Sequence, residues 1–453
     1  MAEVKHSIYF VSLGCDKNRV DSEYMIAMLQ NRGYSITDEL SKADTAVVNT
    51  CCFIGDAAQE SMNTVLELAE LRKSGALKAL ICTGCLAQRY RKEIRESIPE
   101  VDSIIGTAAI DKIVEALDGI YEGKAEDKFE ELSVLRLPDV DRVNTTGGYT
   151  GYLKISEGCN KRCTYCVIPY IRGPYRSVPM ERLEKEAAYM AKMGIKELIL
   201  VAQETTLYGK DIYGKKMLPE LLHRLCKIDG IEWIRVLYCY PEEITDELID
   251  CIVGEEKICK YLDLPIQHAS DAILKKMGRL TDQASIVNVI EKLRAKMPEV
   301  ALRTTLITGF PGETEEDFEV LLKFVEKMRF DRLGAFPYSK EEGTPAAKMK
   351  GQVLKKIKVK RRDEVMKLQQ RIVFDNNKKL VGKKERVIIE GRLADEIDYN
   401  DPEMSVYVAR TYRDAPGIDG SVFIKTKAEL ESGMMPLVEI TGANGYDLLA
   451  KLV

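Results

Sequence analysis

Residues 152–166 read Tyr-Leu-Lys-Ile-Ser-Glu-Gly-Cys-Asn-Lys-Arg-Cys-Thr-Tyr-Cys, a short apolar strand (Tyr152-Ser156) running into a CxxxCxxC loop with cysteines at 159, 163 and 166. Three thiolates make an incomplete cage. A structural zinc site or a closed cubane cluster takes four protein ligands, whereas three leave one metal corner open. No fourth His or Cys stands close by, which disfavours zinc. Downstream, five more strand candidates alternate with helical patterns: Glu197-Ala202, Ile234-Tyr238, Tyr261-Ile266, Leu302-Thr308 and Leu333-Tyr338. Six consecutive strands, all but the last followed by helical material, predict a partial (β/α) barrel. Active groups of such barrels sit on the loops after the strands, where CNKRCTYC lies.

Upstream, residues 1 to about 140 also alternate strands (Ile8-Ser12, Thr45-Asn49, Ala79-Thr83, Ser103-Ile105) with helices (near Ser22-Arg32, Asp56-Ser74, Arg89-Ser97, Ile110-Leu117). This α/β pattern predicts a doubly wound parallel sheet. Cys15, Cys51 and Cys85 each fall just after one of its first three strands. Loops at the carboxyl ends of such strands converge and hold ligands, so a second cysteine trio is expected to gather in space. Cys82 lies inside its strand. Cys52 directly follows Cys51, and the two side chains would rarely point at one metal, so it is read as structural, as are Cys226, Cys239, Cys251 and Cys259.

Pro138, Gly147 and Gly148 break the pattern in Leu135-Thr150, a linker signal. The expected organisation is an N-terminal domain (1–140), a partial barrel (145–345), a basic linker helix (346–380) and a small all-β barrel (381–453). The helix is suggested by many Lys and Arg with Val353, Ile357, Val365, Leu368 and Ile372 at helical spacing. Most of its charges are read as a solvated face. The last domain is suggested by five short strand candidates near Glu385-Glu390, Ser405-Arg410, Ser421-Lys425, Leu437-Ile440 and Tyr446-Leu449.

With 453 residues, 45% hydrophobic, and a formal charge of −5, the chain is no general polyanion binder. No apolar run approaches the roughly 18 residues of a membrane span. Ile8-Gly14 before Cys15 is too short, and Glu3 too acidic, for a lipoprotein leader. A cytoplasmic protein is expected, in which clustered cysteines mean metal or catalysis.

The CxxxCxxC spacing on a post-strand loop is similar to that of the radical S-adenosylmethionine (SAM) superfamily. That resemblance implies a 4Fe-4S cube on Cys159, Cys163 and Cys166, whose free iron chelates the amino and carboxylate groups of SAM and cleaves it to a 5'-deoxyadenosyl radical. Tyr165 would then border the adenine. Gln203 and Glu204 after the second strand, Gln267 after the fourth and Gly309 after the fifth are candidates for holding the rest of the cofactor. Thr314 and Asp317 resemble a capping box. His268 is read as a structural group, and no side-chain acid or base is assigned.

Taken in order, SLGC, NTC, TGC and CNKRCTYC ahead of a terminal barrel resemble the methylthiotransferases, a radical SAM family, over essentially the whole chain. The resemblance implies a second, auxiliary 4Fe-4S cluster on Cys15, Cys51 and Cys85 that presents sulfur, one SAM as methyl donor, another as radical source, an electron donor, and a TRAM-like terminal domain that recognises substrate. SLGCDKNRVDSE, NTCCFIGDAAQES, TGCLAQRY, YLKISEGCNKRC, FDRLGAFPYSKEEGTPAA and RDAPGIDG look like the branch that modifies an aspartate of ribosomal protein S12 rather than tRNA. Asp16, where proline is common, and Cys52, where glycine is common, depart from that pattern. Charge agrees: Lys383 to Val453 holds 9 Lys and Arg against 13 Asp and Glu, a net of −4. An RNA enzyme would want a basic face there, whereas an acidic barrel suits a basic ribosomal protein.

Overall fold

The computed structural model describes residues 6–393 and 404–453. Fully buried runs such as TAVVNT and ALICTG have no alternation of polar and apolar residues, the signature of strands covered on both faces. They form the centre of a parallel sheet of β1 (Ser7–Ser12), β2 (Ser35–Thr37), β3 (Thr45–Thr50), β4 (Ala79–Gly84) and β5 (Ser103–Ile105), ordered β2-β1-β3-β4-β5. The three-residue β2 is too short to leave a sequence pattern. The helix expected from Ser22 begins six residues earlier, spanning Asp16–Asn31 with Cys15 as its N-cap. Its first turns carry buried polar groups (Lys17, Asn18, Asp21, Ser22, Glu23), and so show no apolar periodicity.

The second domain is built from β6 (Thr150–Lys154), a two-residue antiparallel pair β7 (Ser156–Glu157) and β8 (Arg176–Ser177), and then β9 (Glu197–Val201), β10 (Trp233–Val236), β11 (Ile258–Asp263), β12 (Ala301–Thr308) and β13 (Arg332–Pro337). The six long strands are all parallel in the order β13-β12-β11-β10-β9-β6, an open partial barrel. Helix Glu315–Met328 opens with the expected Thr314–Asp317 capping box. A basic helix, Lys355–Lys378, packs on β13. Its charges are not all solvated: Lys358 donates to the Tyr338 carbonyl and buried Arg361 pairs with Glu313 and Glu315.

The chain closes with a barrel of β14 (Lys384–Arg392), β15 (Ser405–Thr411), β16 (Val422–Thr426), β17 (Leu437–Asn444) and β18 (Asp447–Leu452), ordered β14-β15-β16-β18-β17. It docks at the amino end of the partial barrel through charge. Arg410 and Arg235 both pair with fully buried Glu197 at the start of β9. Burial alone would push the Glu197 carboxyl up, but the two guanidiniums outweigh it and hold it at about 2. A carboxylate held below its usual range stabilises the fold above pH ~4.5 and loses that contribution as pH falls towards 2, on the order of 3 kcal/mol here. The single tryptophan, Trp233, lies in register with Glu197 on the adjacent strand. Its fluorescence is expected to report a transition between pH 4.5 and 2 that shrinks in Arg410→Met; an unchanged transition in that variant would remove this role for the pair.

Candidate active site

The N-terminal trio is assembled by one asparagine and two glycines. Cys51 directly follows β3, Cys85 directly follows β4, and Cys15 lies three residues past β1. Buried Asn18 donates from Nδ2 to the carbonyls of Leu13 (3.0 Å) and Thr50 (2.9 Å), while the Cys85 thiol points at its Oδ1 (3.7 Å). One side chain thus ties all three cysteine-bearing segments. Gly14 has φ +89°, and a Cβ there would lie 2.6 Å from Cβ and 2.8 Å from Sγ of Cys51. Only glycine lets the Cys15 loop close onto Cys51 in that conformation. Gly84, at φ +91°, is likewise packed on Asn49 and Thr50. Cys15 is exposed and is an electrostatic neighbour of both Cys51 and Cys85. Cys52 packs in the core formed by β3, β4 and their helices, a core that also takes in Cys85, and is an electrostatic neighbour of Cys51 and Cys85.

The CNKRCTYC loop crosses the carboxyl end of the partial barrel. It is pinned by Thr164, whose N–H donates to the Met277 carbonyl and whose carbonyl accepts from Ala346 (both 2.9 Å). Arg162 sits at φ +51°, a conformation that costs energy in a non-glycine residue and lets the loop reverse between cysteines. Cys159, Cys163 and Cys166 are electrostatic neighbours. Burial pushes the Cys159 thiol up to about 11 and those of Cys166 and Cys85 to about 12, so metal loading must release protons. Among the described residues, no three His, Cys, Asp or Glu side chains converge tightly enough to hold one metal ion. A zinc would need its sulfurs only about 3.8 Å apart, by tetrahedral geometry at ~2.3 Å bonds, whereas a cube spreads one thiolate to each iron.

Of the other residues expected around a cofactor, Tyr165 is packed edge-on against Phe310 beside Cys163. Gln203 donates to Glu157 (2.8 Å), leaving its own Oε1 unbonded; Glu204 accepts from the Thr206 backbone and hydroxyl, leaving Oε2 unbonded. Burial pushes the Glu204 carboxyl up to about 7 despite nearby Lys161. Gln267 has φ +72°, and its backbone joins β12 through Thr305 and Ile307. The space in front of Gly309 is filled by Lys358 of the basic helix, so helix packing already accounts for a glycine at this position. His268 is fully buried; its Nδ1 accepts from the Ser270 N–H (3.0 Å), while Nε2 makes no hydrogen bond and lies 3.6 Å from the Glu313 carboxylate.

Four further side chains carry no sequence signal. Tyr240 places its hydroxyl 3.8 Å from the Cys163 sulfur. Arg279 stacks over the Tyr240 ring and is buried; it makes no hydrogen bond from any guanidinium nitrogen, and Nη2 faces the Glu242 carboxylate at 3.5 Å. Arg172 reaches from six residues past Cys166 to the N-terminal trio, where Nε donates to the Cys85 sulfur (3.3 Å) and the remaining nitrogens bind Asp21, Glu157 and Asn18. Arg142, inside the expected linker, is buried between Glu23 of the first domain and Glu186 of the second, so that segment is a clamp as well as a tether. Arg172 and Arg142 therefore tie the first domain to the second.

The residues present fit a cluster-and-SAM site. Six thiols in two sets of three supply the soft donors. The unbonded oxygens of Gln203 and Glu204 accept from an ammonium, and the unbonded Arg279 fork suits an anion.

Comparisons with known proteins agree with this geometry. The Radical SAM superfamily matches residues 153–325, Uncharacterized protein family UPF0004 matches 7–106, and the TRAM domain matches 381–453. Among solved structures, the radical SAM methyltransferase TsrM from Kitasatospora setae shares the fold at a TM-score of 0.56, with 15% identity over 75% of this chain and 77% of that one. Fold and site thus define a radical SAM enzyme, the class that uses SAM and an iron–sulfur cluster. Curated relatives are more specific: "Ribosomal protein uS12 methylthiotransferase RimO" of Lachnoclostridium phytofermentans is 58% identical over 98% of this chain and 99% of its own. Proteins of the same name from Acetivibrio thermocellus (46%, covering 99% of each chain) and Clostridioides difficile (47%, covering 98% of each) follow. The chain belongs to the ribosomal protein uS12 methylthiotransferase family. No helix among the described residues is long and apolar enough to cross a membrane.

Proposed function

We propose that this protein replaces one hydrogen on the β-carbon of an aspartyl residue of ribosomal protein uS12 with a methylthio group in the cytoplasm. The observation that carries this reading is identity of 58% to a uS12 methylthiotransferase along the full chain. Cys159, Cys163 and Cys166 would hold the SAM-cleaving 4Fe-4S cluster, and Cys15, Cys51 and Cys85 an auxiliary one. When bound, these groups supply the radical, the sulfur and, through a second SAM, the methyl group, with electrons from an external donor. The chain's own work is orientation: Gln203 and Glu204 accept from the cofactor's amino group, Arg279 takes its carboxylate, and Tyr165 borders its adenine. Holding cofactor and substrate in one seam converts a collision of several partners into a local event.

The acidic terminal barrel supports a basic partner. Four of its nine cations (Lys383, Arg386, Arg410, Arg413) are turned onto Glu299, Glu232, Glu197 and Asp331 of the partial barrel, while Asp414 and Asp419 are turned onto Arg332 and Arg303. Anaerobic reconstitution followed by mass spectrometry of uS12 and of tRNA tests the proposal. The expected result is the mass of SCH3 in place of hydrogen on an aspartate of uS12; the same gain on tRNA alone would overturn it.

A further inference from the structure

A buried cation at the seam lacks a carboxylate. Lys17, two residues past Cys15, is 7% exposed, and among the described residues no Asp or Glu forms an ion pair with it. Neighbouring cations are matched: Lys154 and Arg172 share Asp21 and Glu157, and Lys161 holds Glu243. The Lys17 ammonium stands instead 3.5 Å from the centroid of the Tyr238 ring. Adjacent Asp16 faces the Tyr238 hydroxyl (3.4 Å) and, with Cys15, attracts the ammonium without forming an ion pair with it. Neither these neighbours nor an aromatic face is a direct carboxylate partner, which leaves the ammonium able to take an incoming anion.

Tyr238 itself is strained. It lies two residues past β10, on the barrel end that carries CNKRCTYC, at φ +60°, a region aromatic residues rarely enter. Its N–H donates to Asp263 (3.2 Å), and its carbonyl accepts from the Thr205 N–H (3.1 Å), which holds the conformation. The strain sets the ring beneath Lys17, so a residue of one domain floors a cation of the other. Strain held in this way at the meeting point of two sites is a mark of function.

We propose that Lys17 receives the carboxylate of the substrate side chain and so selects aspartate over asparagine. This rests on the reading that an aspartyl β-carbon reacts. That carbon is bonded directly to the carboxyl carbon, so an ion pair at Lys17 holds the reacting atom two bonds from the clamped oxygens and beside the Cys15 set. An amide of the same shape leaves the ammonium uncompensated, the kind of mismatch that discriminates strongly.

The test measures affinity of the anaerobic, cluster-loaded enzyme for recombinant uS12 and for uS12 with the modified aspartate changed to asparagine. Wild type is expected to prefer the aspartate form by about tenfold or more. Lys17→Met should weaken binding of that form until the ratio is near one, while Lys17→Arg keeps a preference. A Lys17→Met variant that retains the preference, or weakens both forms equally as loss of a sulfur or cofactor contact would, overturns the proposal. If Lys17→Met binds neither form, Lys17→Arg decides: a kept preference supports the ion pair and a lost one overturns it. A wild type that neither binds nor modifies uS12 would instead overturn the substrate reading, and the role of Lys17 with it.

Discussion

Cys163→Ala is expected to bring release of 5'-deoxyadenosine from SAM to background, whereas Cys51→Ala keeps that release and loses methylthio transfer to uS12. Both should lower bound iron from about eight to about four per chain, because each trio serves one cube. The split follows from the geometry. Cys163 sits in the loop across the barrel end, among Tyr165, Tyr240 and Arg279. Cys51 sits on the other side of the seam, after β3, with its N–H bonded to Ser61 and its side chain against Gly14. The two cysteines share no hydrogen-bond partner, so losing one leaves the other set's supports in place. Iron analysis and anaerobic turnover with SAM alone and with uS12 separate the outcomes. Cys51→Ala protein that still methylthiolates uS12 would remove the auxiliary role from Cys15, Cys51 and Cys85.

The parts of this site that were legible in sequence are those fixed by local pattern. A cysteine just past a strand is a local spacing; covered parallel strands likewise read as apolar runs, so both parallel sheets could be found from residues alone. What joins them could not. Arg172 meets Asn18 across 154 positions and Arg142 meets Glu23 across 119. A lone arginine in IRG or DRV looks like any solvated charge until its partners are placed. Lys17, Asn18 and Asp21 hid the start of their own helix, because polar residues buried against another domain mimic an exposed face. Gly309 shows another contact that a local pattern could not anticipate: the space a side chain would take there is filled by Lys358, 49 positions on.

Arg172→Met is expected to uncouple the N-terminal domain from the barrel and empty the auxiliary trio. Arg172 is 2% exposed and belongs to a buried set of two cations, Arg172 and Lys154, with two anions, Asp21 and Glu157. Removing one cation leaves a net buried negative charge, takes the partner from Asn18 Oδ1, and strips the N–H donated to Cys85. Loss of one member of a buried ion set typically costs about 3–5 kcal/mol, because the remaining charge stays desolvated. Amides of helix Asp16–Asn31 should therefore exchange with solvent about 10²- to nearly 10⁴-fold faster, provided they open through separation of the domains. Arg172→Lys should recover only part, since a point charge cannot serve Cys85, Asp21, Glu157 and Asn18 at once as the planar fork does. Arg32→Ala is the matched control: it breaks the Arg32–Asp118 pair of the same helix, but that arginine is half exposed and its loss should leave exchange unchanged. If Arg172→Met kept wild-type protection and full iron, the seam would have to be held by Arg142 with Glu23 and Glu186, and the Arg172 contact with Cys85 would be incidental to assembly.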